Sequence, residues 1–176
     1  MPNSQPAASR APAKTGALVA LVGAACAACL VPLTKSSEGR RLDAYYDIAR
    51  VLTICDGDTH EVRRGQRATP AECDARLERN LSTHGAAVLA RNPELRDRPY
   101  QLAAAIDLAF NIGDRAYAGS TVARRFSVRD WRGGCDAMLA WNKARVGGPK
   151  APLVVVSGLV ARRARERAVC LQIAKA

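Results

Sequence analysis

EGRRLDAYYDIARVLT, residues 38–53, sets a lone acid before a glycine, a second acid nine residues on at Asp47, and closes on Thr53. In one continuous helix nine residues turn through about 900°, which would put Glu38 and Asp47 on opposite faces. The chain must break between them if both carboxyls are to face one substrate. Gly39 is placed to end a short helix that carries Glu38 as its last side chain. Beyond it, LDAYYDIARVLTI and the Asp-Gly turn of CDGDTHEV predict a short antiparallel sheet between about 42 and 64. Asp47 and Thr53 then belong to a hairpin, and the two carboxyls face each other across a cleft between a helical lobe and a sheet lobe.

Downstream the pattern turns helical. Thr69-Pro70-Ala71-Glu72 is a capping box with proline at the first helical position, so a helix is expected from Pro70 toward Val88. Cys73, Leu77, Leu81 and Val88 give that helix a core-facing stripe. PYQLAAAIDLAFNIG, 99–113, is nearly all apolar and predicts a helix buried on most sides and ended by Gly113. Further helices are expected at about 119–127, 131–143 and 157–174. One small sheet followed by helices is an α+β arrangement, mainly helical.

At 176 residues the chain suits one domain plus a tail. Lys and Arg number 27 against 16 Asp and Glu, a net charge of +11, so the surface should attract polyanions. Aromatic residues make up only 5%, and no zinc-finger, RRM or KH signature accompanies the charge, which argues against nucleic acid. The six cysteines, Cys26, Cys29, Cys55, Cys73, Cys135 and Cys170, fit an oxidising compartment better than a metal site, for which only two histidines are available. No metal or other cofactor is expected.

Residues 1–15 are polar and carry Arg10 and Lys14; GALVALVGAACAACLVPL, 16–33, then runs uncharged for 18 residues. This layout is that of an export signal. A cleaved signal peptide, a lipoprotein signal on Cys26 and an uncleaved anchor are the competing readings, beside a buried helix of the soluble core. The span just reaches the minimum for a membrane helix, and its six alanines and two glycines make it weakly apolar, so it would insert poorly. Positive charge ahead of it predicts a cytoplasmic N-terminus with the remainder outside. The expected organisation is a basic segment at 1–15, a weakly hydrophobic signal-anchor at 16–34 and a catalytic domain at 35–176.

Two carboxyls across a cleft suit glycoside hydrolysis, in which one donates a proton to the leaving oxygen and the other holds water on the opposite face of the sugar. E-G-x-R-L-x-A-Y-x-D followed by V-L-T-I-C-x-G-x-T closely resembles the start of the phage-type lysozymes, the endolysin family. The likeness continues in TPAECD (69–74), AFNIG (109–113), Ser120-Thr121 and GLVARRARERAVC (158–170). It departs at Arg50, where the family commonly has glycine, and at Asp56 and Asp58, which replace an aromatic and a histidine around Gly57.

The resemblance implies a lysozyme-like fold and an inverting muramidase acting on peptidoglycan, with Glu38 as general acid, Asp47 positioning or activating water, and Thr53 supporting it. Arg162 or Arg163 would approach Glu38 from the C-terminal helix. It also implies disulfides from Cys55 to Cys73 and from Cys135 to Cys170. That leaves Cys26 and Cys29 either as small buried residues or as regulatory thiols that link only after the segment leaves the membrane. A lytic transglycosylase and an inactive wall-binding protein are the alternatives on the same fold. The span at 16–33 looks like a signal-anchor-release segment. That reading implies a monomer tethered to the inner membrane of a Gram-negative host, freed into the periplasm when a holin or pinholin depolarises the membrane.

Overall fold

The computed structural model describes residues 16–47, 50–146 and 150–172. The basic segment at 1–15 lies outside the described residues. Helices α1 (Ala17–Val22) and α2 (Ala24–Lys35) come first, followed by strands β1 (Arg41–Tyr46) and β2 (Leu52–Cys55). The long helix α3 (Pro70–Arg91) leads through a 3-10 turn to α4 (Pro99–Ile112), α5 (Asp114–Ala118), α6 (Thr121–Ser127) and α7 (Trp131–Ala137). A second hairpin, β3 (Lys143–Arg145) and β4 (Leu153–Val155), precedes the closing helix α8 (Ser157–Cys170). The fold is mainly helical with two small antiparallel sheets.

Burial follows from the sequence pattern. Every residue from 101 to 109 is buried, so α4 is the axis around which α2, α3 and α8 pack. Its Leu102, Ile106 and Leu108 are fully covered, each stabilising the fold by about 2 kcal/mol. α3 starts at the expected capping box: Thr69 Oγ1 accepts from the Glu72 N–H at 3.2 Å, and Glu72 Oε2 accepts from the Thr69 N–H at 2.7 Å. A smaller cluster of Ile54, Cys55, Ala68 and Cys73 forms the floor of the sheet lobe. Disulfides join Cys55 to Cys73, fastening hairpin to α3, and Cys135 to Cys170, fastening α7 to α8.

The apolar stretch at 16–33 folds into the body of the protein. Leu18, Val22, Cys26, Ala27 and Leu30 are part of the main core. α1 seats against α3 at Gly85, where a methyl group would lie 3.3 Å from Leu21 and Val22 and 3.4 Å from Ile106. Gly23, at φ 82°, ends α1 and opens α2, so the stretch is bent and not one rod. Among the described residues no helix is long and apolar enough to cross a membrane.

Several boundaries differ from the sequence expectation. α2 stops at Lys35, before Gly39 is reached. Ser36 Oγ donates to the Leu33 carbonyl at 2.7 Å, and the Glu38 N–H reaches back to Thr34 O at 3.1 Å, so two serines close the helix and Glu38 stands in the turn beyond it. The helix expected at 131–143 ends at Ala137 and passes through a 3-10 turn into β3. The other helix starts agree within two residues; Ser120 caps α6 by accepting from the Ala123 N–H at 3.1 Å.

Candidate active site

Glu38 is held from behind by the Thr34 carbonyl of α2, and its side chain meets α8. Arg162 Nη1 donates to Glu38 Oε1 at 2.6 Å. Only 21% of the Glu38 side chain and 6% of the Arg162 side chain are exposed, so the pair is largely shielded from water. Burial pushes the Glu38 carboxyl above its ordinary range; Arg162 pulls it back, and Asp107 and Asp56 push it up again. The other carboxyl oxygen, Oε2, faces Gly57, where an added methyl would lie 3.8 Å away. At φ 89° that position takes a side chain only with backbone strain.

Asp47 and Thr53 lie on the hairpin. Asp47 stands at its turn, half-buried, with Oδ1 accepting from the Val51 N–H at 2.8 Å and its own N–H donating to Val51 O at 3.0 Å. Thr53, buried in β2, pairs with Tyr45 and donates from its hydroxyl to Val51 O at 3.0 Å. Glu38 meets Gly57 in the turn that follows β2, while Asp47 and Thr53 belong to the β1–β2 hairpin itself.

The two arginines divide their tasks. Arg162 alone reaches Glu38, while its Nη2 and Nε donate to Asp107 Oδ1 at 3.0 Å and Oδ2 at 3.2 Å. Arg163, fully buried, donates to Asn111 Oδ1 at 2.7 Å and pairs with Glu166 Oε1 at 2.8 Å. Sequence reasoning missed Asp107, Asn111 and Glu166. The signals were present: Asp107 is the one charge in an apolar helical run, and Glu166 stands four and three residues after the two arginines, on their face of the helix.

The departures at Asp56 and Asp58 have partners. Arg40 grips Asp56 with Nη2 at 2.7 Å from Oδ2, and also reaches Asp74 at 2.8 Å. Arg76 and Arg79 converge on Asp58 Oδ2 at 2.7 and 3.2 Å, and the His60 N–H donates to its Oδ1 at 3.0 Å. Burial would raise the Asp58 carboxyl, but the His60 N–H and Arg76 hold it below its usual range. These ion pairs tie the turn under Glu38 to α3. Arg50, at the family's glycine position, adopts φ 61°, the left-handed conformation that glycine takes without cost.

Cys26 and Cys29 sit unpaired on α2, the first buried and the second half-buried. Burial, with Cys29 adding, pushes the Cys26 thiol up to about 12, so it is inert in this fold. Among the described residues no group of three or more His, Cys, Asp or Glu is arranged to hold a metal ion.

Comparison with known proteins places this geometry in context. The phage lysozyme family profile matches residues 35–166. The chain is 36% identical over 152 residues to a SAR-endolysin of Pseudomonas phage phiKMV, covering 86% of this chain and 91% of that protein. Among solved structures, it resembles the muramidase domain of SpmX from Asticaccaulis excentricus with a TM-score of 0.73 at 29% identity, over 83% of this chain and 96% of that one. An endolysin from Escherichia coli O157:H7 phage FAHEc1 gives 0.71 at 28% identity, over 81% and 90%.

Proposed function

Because the chain belongs to the phage lysozyme family and is thereby a peptidoglycan hydrolase of phage lysis, we propose that it is an inverting muramidase with Glu38 as its general acid. The bond cut is the β-1,4 link between N-acetylmuramic acid and N-acetylglucosamine. Glu38 gives its proton to the leaving glycosidic oxygen as the C1–O bond breaks. Water adds to C1 from the opposite face and passes a proton to Asp47, with Thr53 helping to hold that water. The observation that carries this reading is the half-buried Glu38, held at 2.6 Å by Arg162 and raised toward its protonated form by burial.

The expected test outcome is loss of wall clearing by at least about a thousandfold in Glu38→Gln, with binding to isolated walls retained. Unchanged clearing by that variant would defeat the assignment. Mass spectrometry of the fragments should find reducing ends; anhydro-sugar ends would point to transglycosylation.

The stretch at 16–33 acts, on this reading, as a signal-anchor-release segment: it exports the chain, holds it at the inner membrane of a Gram-negative host, and leaves the bilayer when a holin or pinholin collapses the membrane potential. The SAR-endolysin relatives support this, as does the ease with which the stretch packs in the protein core. The folded form described here is then the released, periplasmic monomer, in which Cys26 and Cys29 are unpaired. An intact N-terminus that moves from membrane to soluble fraction after depolarisation is expected; a shortened N-terminus would end the idea.

A further inference from the structure

Behind Glu38 lies a buried cluster that a simple acid-and-arginine pair does not need. Asp107 has no exposure, and both of its oxygens accept from the Nε and Nη2 edge of Arg162. Glu166 has none either: its Oε1 faces Arg162 Nε at 3.2 Å and Arg163 at 2.8 Å, while its Oε2 has no hydrogen-bond partner among the described residues. An ionised Glu166 would leave a charged oxygen unsatisfied in the core, which costs several kcal/mol. A proton on Oε2 removes that charge. Asp107, satisfied at both oxygens by a cation, has no such need.

Resting on the muramidase reading above, we infer that Asp107 and Glu166 are positioning residues that carry one negative charge between them, and that this charge takes up the inner edge of Arg162 so that Glu38 can keep the proton it donates. Without it, Glu38 would face an uncompensated guanidinium and release its proton earlier. Of the other charged groups around Glu38, Asp56 below it is paired with Arg40 and Lys35 on α2 with Asp74. Arg165 donates to Ser37 Oγ, and Arg163 on α8 donates to Asn111 Oδ1 and faces Oε1 of the neutral Glu166. Asp107 and Glu166 are therefore the charges whose loss would be felt at Glu38.

The pair also explains why there are two acids. If Asp107 is neutralised alone, Glu166 can release its proton and replace the charge, because it already touches Arg162. Burial, and then the nearby Asp107, push Glu166 up to about 9, so removal of Asp107 lowers it.

The test is the alkaline limb of the pH profile of wall clearing, together with the carbon-13 titration of the Glu38 carboxyl, in folded variants. Glu166→Gln should leave the limb in place. Asp107→Asn with Glu166→Gln should move both limb and titration down by about one pH unit or more, a tenfold or greater loss of clearing above the new limb. Asp107→Asn alone should move them less than the double change. A folded double variant with an unmoved limb and titration overturns the inference. Should it not fold, carbon-13 titration of the native protein decides: one of the two buried carboxyls protonated at pH 7 supports the inference, and both ionised overturns it. The Glu38 titration reads protonation without activity, so a failure of the muramidase reading, seen as clearing by Glu38→Gln, stays separate.

Discussion

At the scale of single residues, stability and chemistry make opposing demands. Arg162 is the shared partner of Glu38 and Asp107, so Arg162→Ala leaves Asp107 buried and unpaired. Its expected cost is about 3–5 kcal/mol in a denaturant titration. Glu166 works in the other direction. Its folded value is pushed up to about 9, while an unfolded glutamate ionises near 4.5. Above pH 4.5 the unfolded chain releases this proton and the folded chain keeps it, so folding is penalised increasingly up to about pH 9. Glu166→Gln should therefore melt higher than the native protein at pH 8 and converge with it near pH 4.5, as scanning calorimetry at the two pH values would show. Arg50, strained at φ 61°, gives a smaller effect: Arg50→Gly should stabilise by up to about 1 kcal/mol, and a loss of stability would show that its side chain matters more than its backbone.

At the scale of elements, what the sequence made legible was what is local. The Thr69 capping box is complete within four residues, and the apolar run of α4 states its own burial. The spacing from Glu38 to Thr53 pointed to a break and a hairpin, and both are present. The end of α2 was misplaced because Ser36 and Ser37 close it through side chains before glycine is needed. β3 and β4 escaped notice although LVVV, 153–156, is a strong strand pattern, since three of these residues are exposed and no core face announces them. Asp107 and Arg162 lie 55 residues apart, and no periodicity joins them. Elements also respond unequally to their cross-links. Loops of 18 and 35 residues imply stabilisation of about 3 kcal/mol for Cys55 with Cys73 and about 4 kcal/mol for Cys135 with Cys170. Paired serine variants, compared by denaturant titration, should fall in that order.

At the scale of the whole molecule, a net charge of +11 should concentrate the protein on an anionic wall. Raising salt from 0.05 to about 0.5 M, where the Debye length falls from roughly 14 to 4 Å, is expected to weaken wall binding severalfold with little change in melting temperature. Salt-independent binding would assign adhesion to shape instead. The bend at Gly23 has a further consequence. α2 is 12 residues long, about 18 Å, against about 30 Å of hydrocarbon in a bilayer. Leu18, Val22 and Leu30 can line a lipid-facing rod or fill the protein interior, but never both at once. On the signal-anchor-release reading, the chain spends one set of side chains on two exclusive solvents, and any substitution that makes lipid a better home for them makes the folded protein rarer.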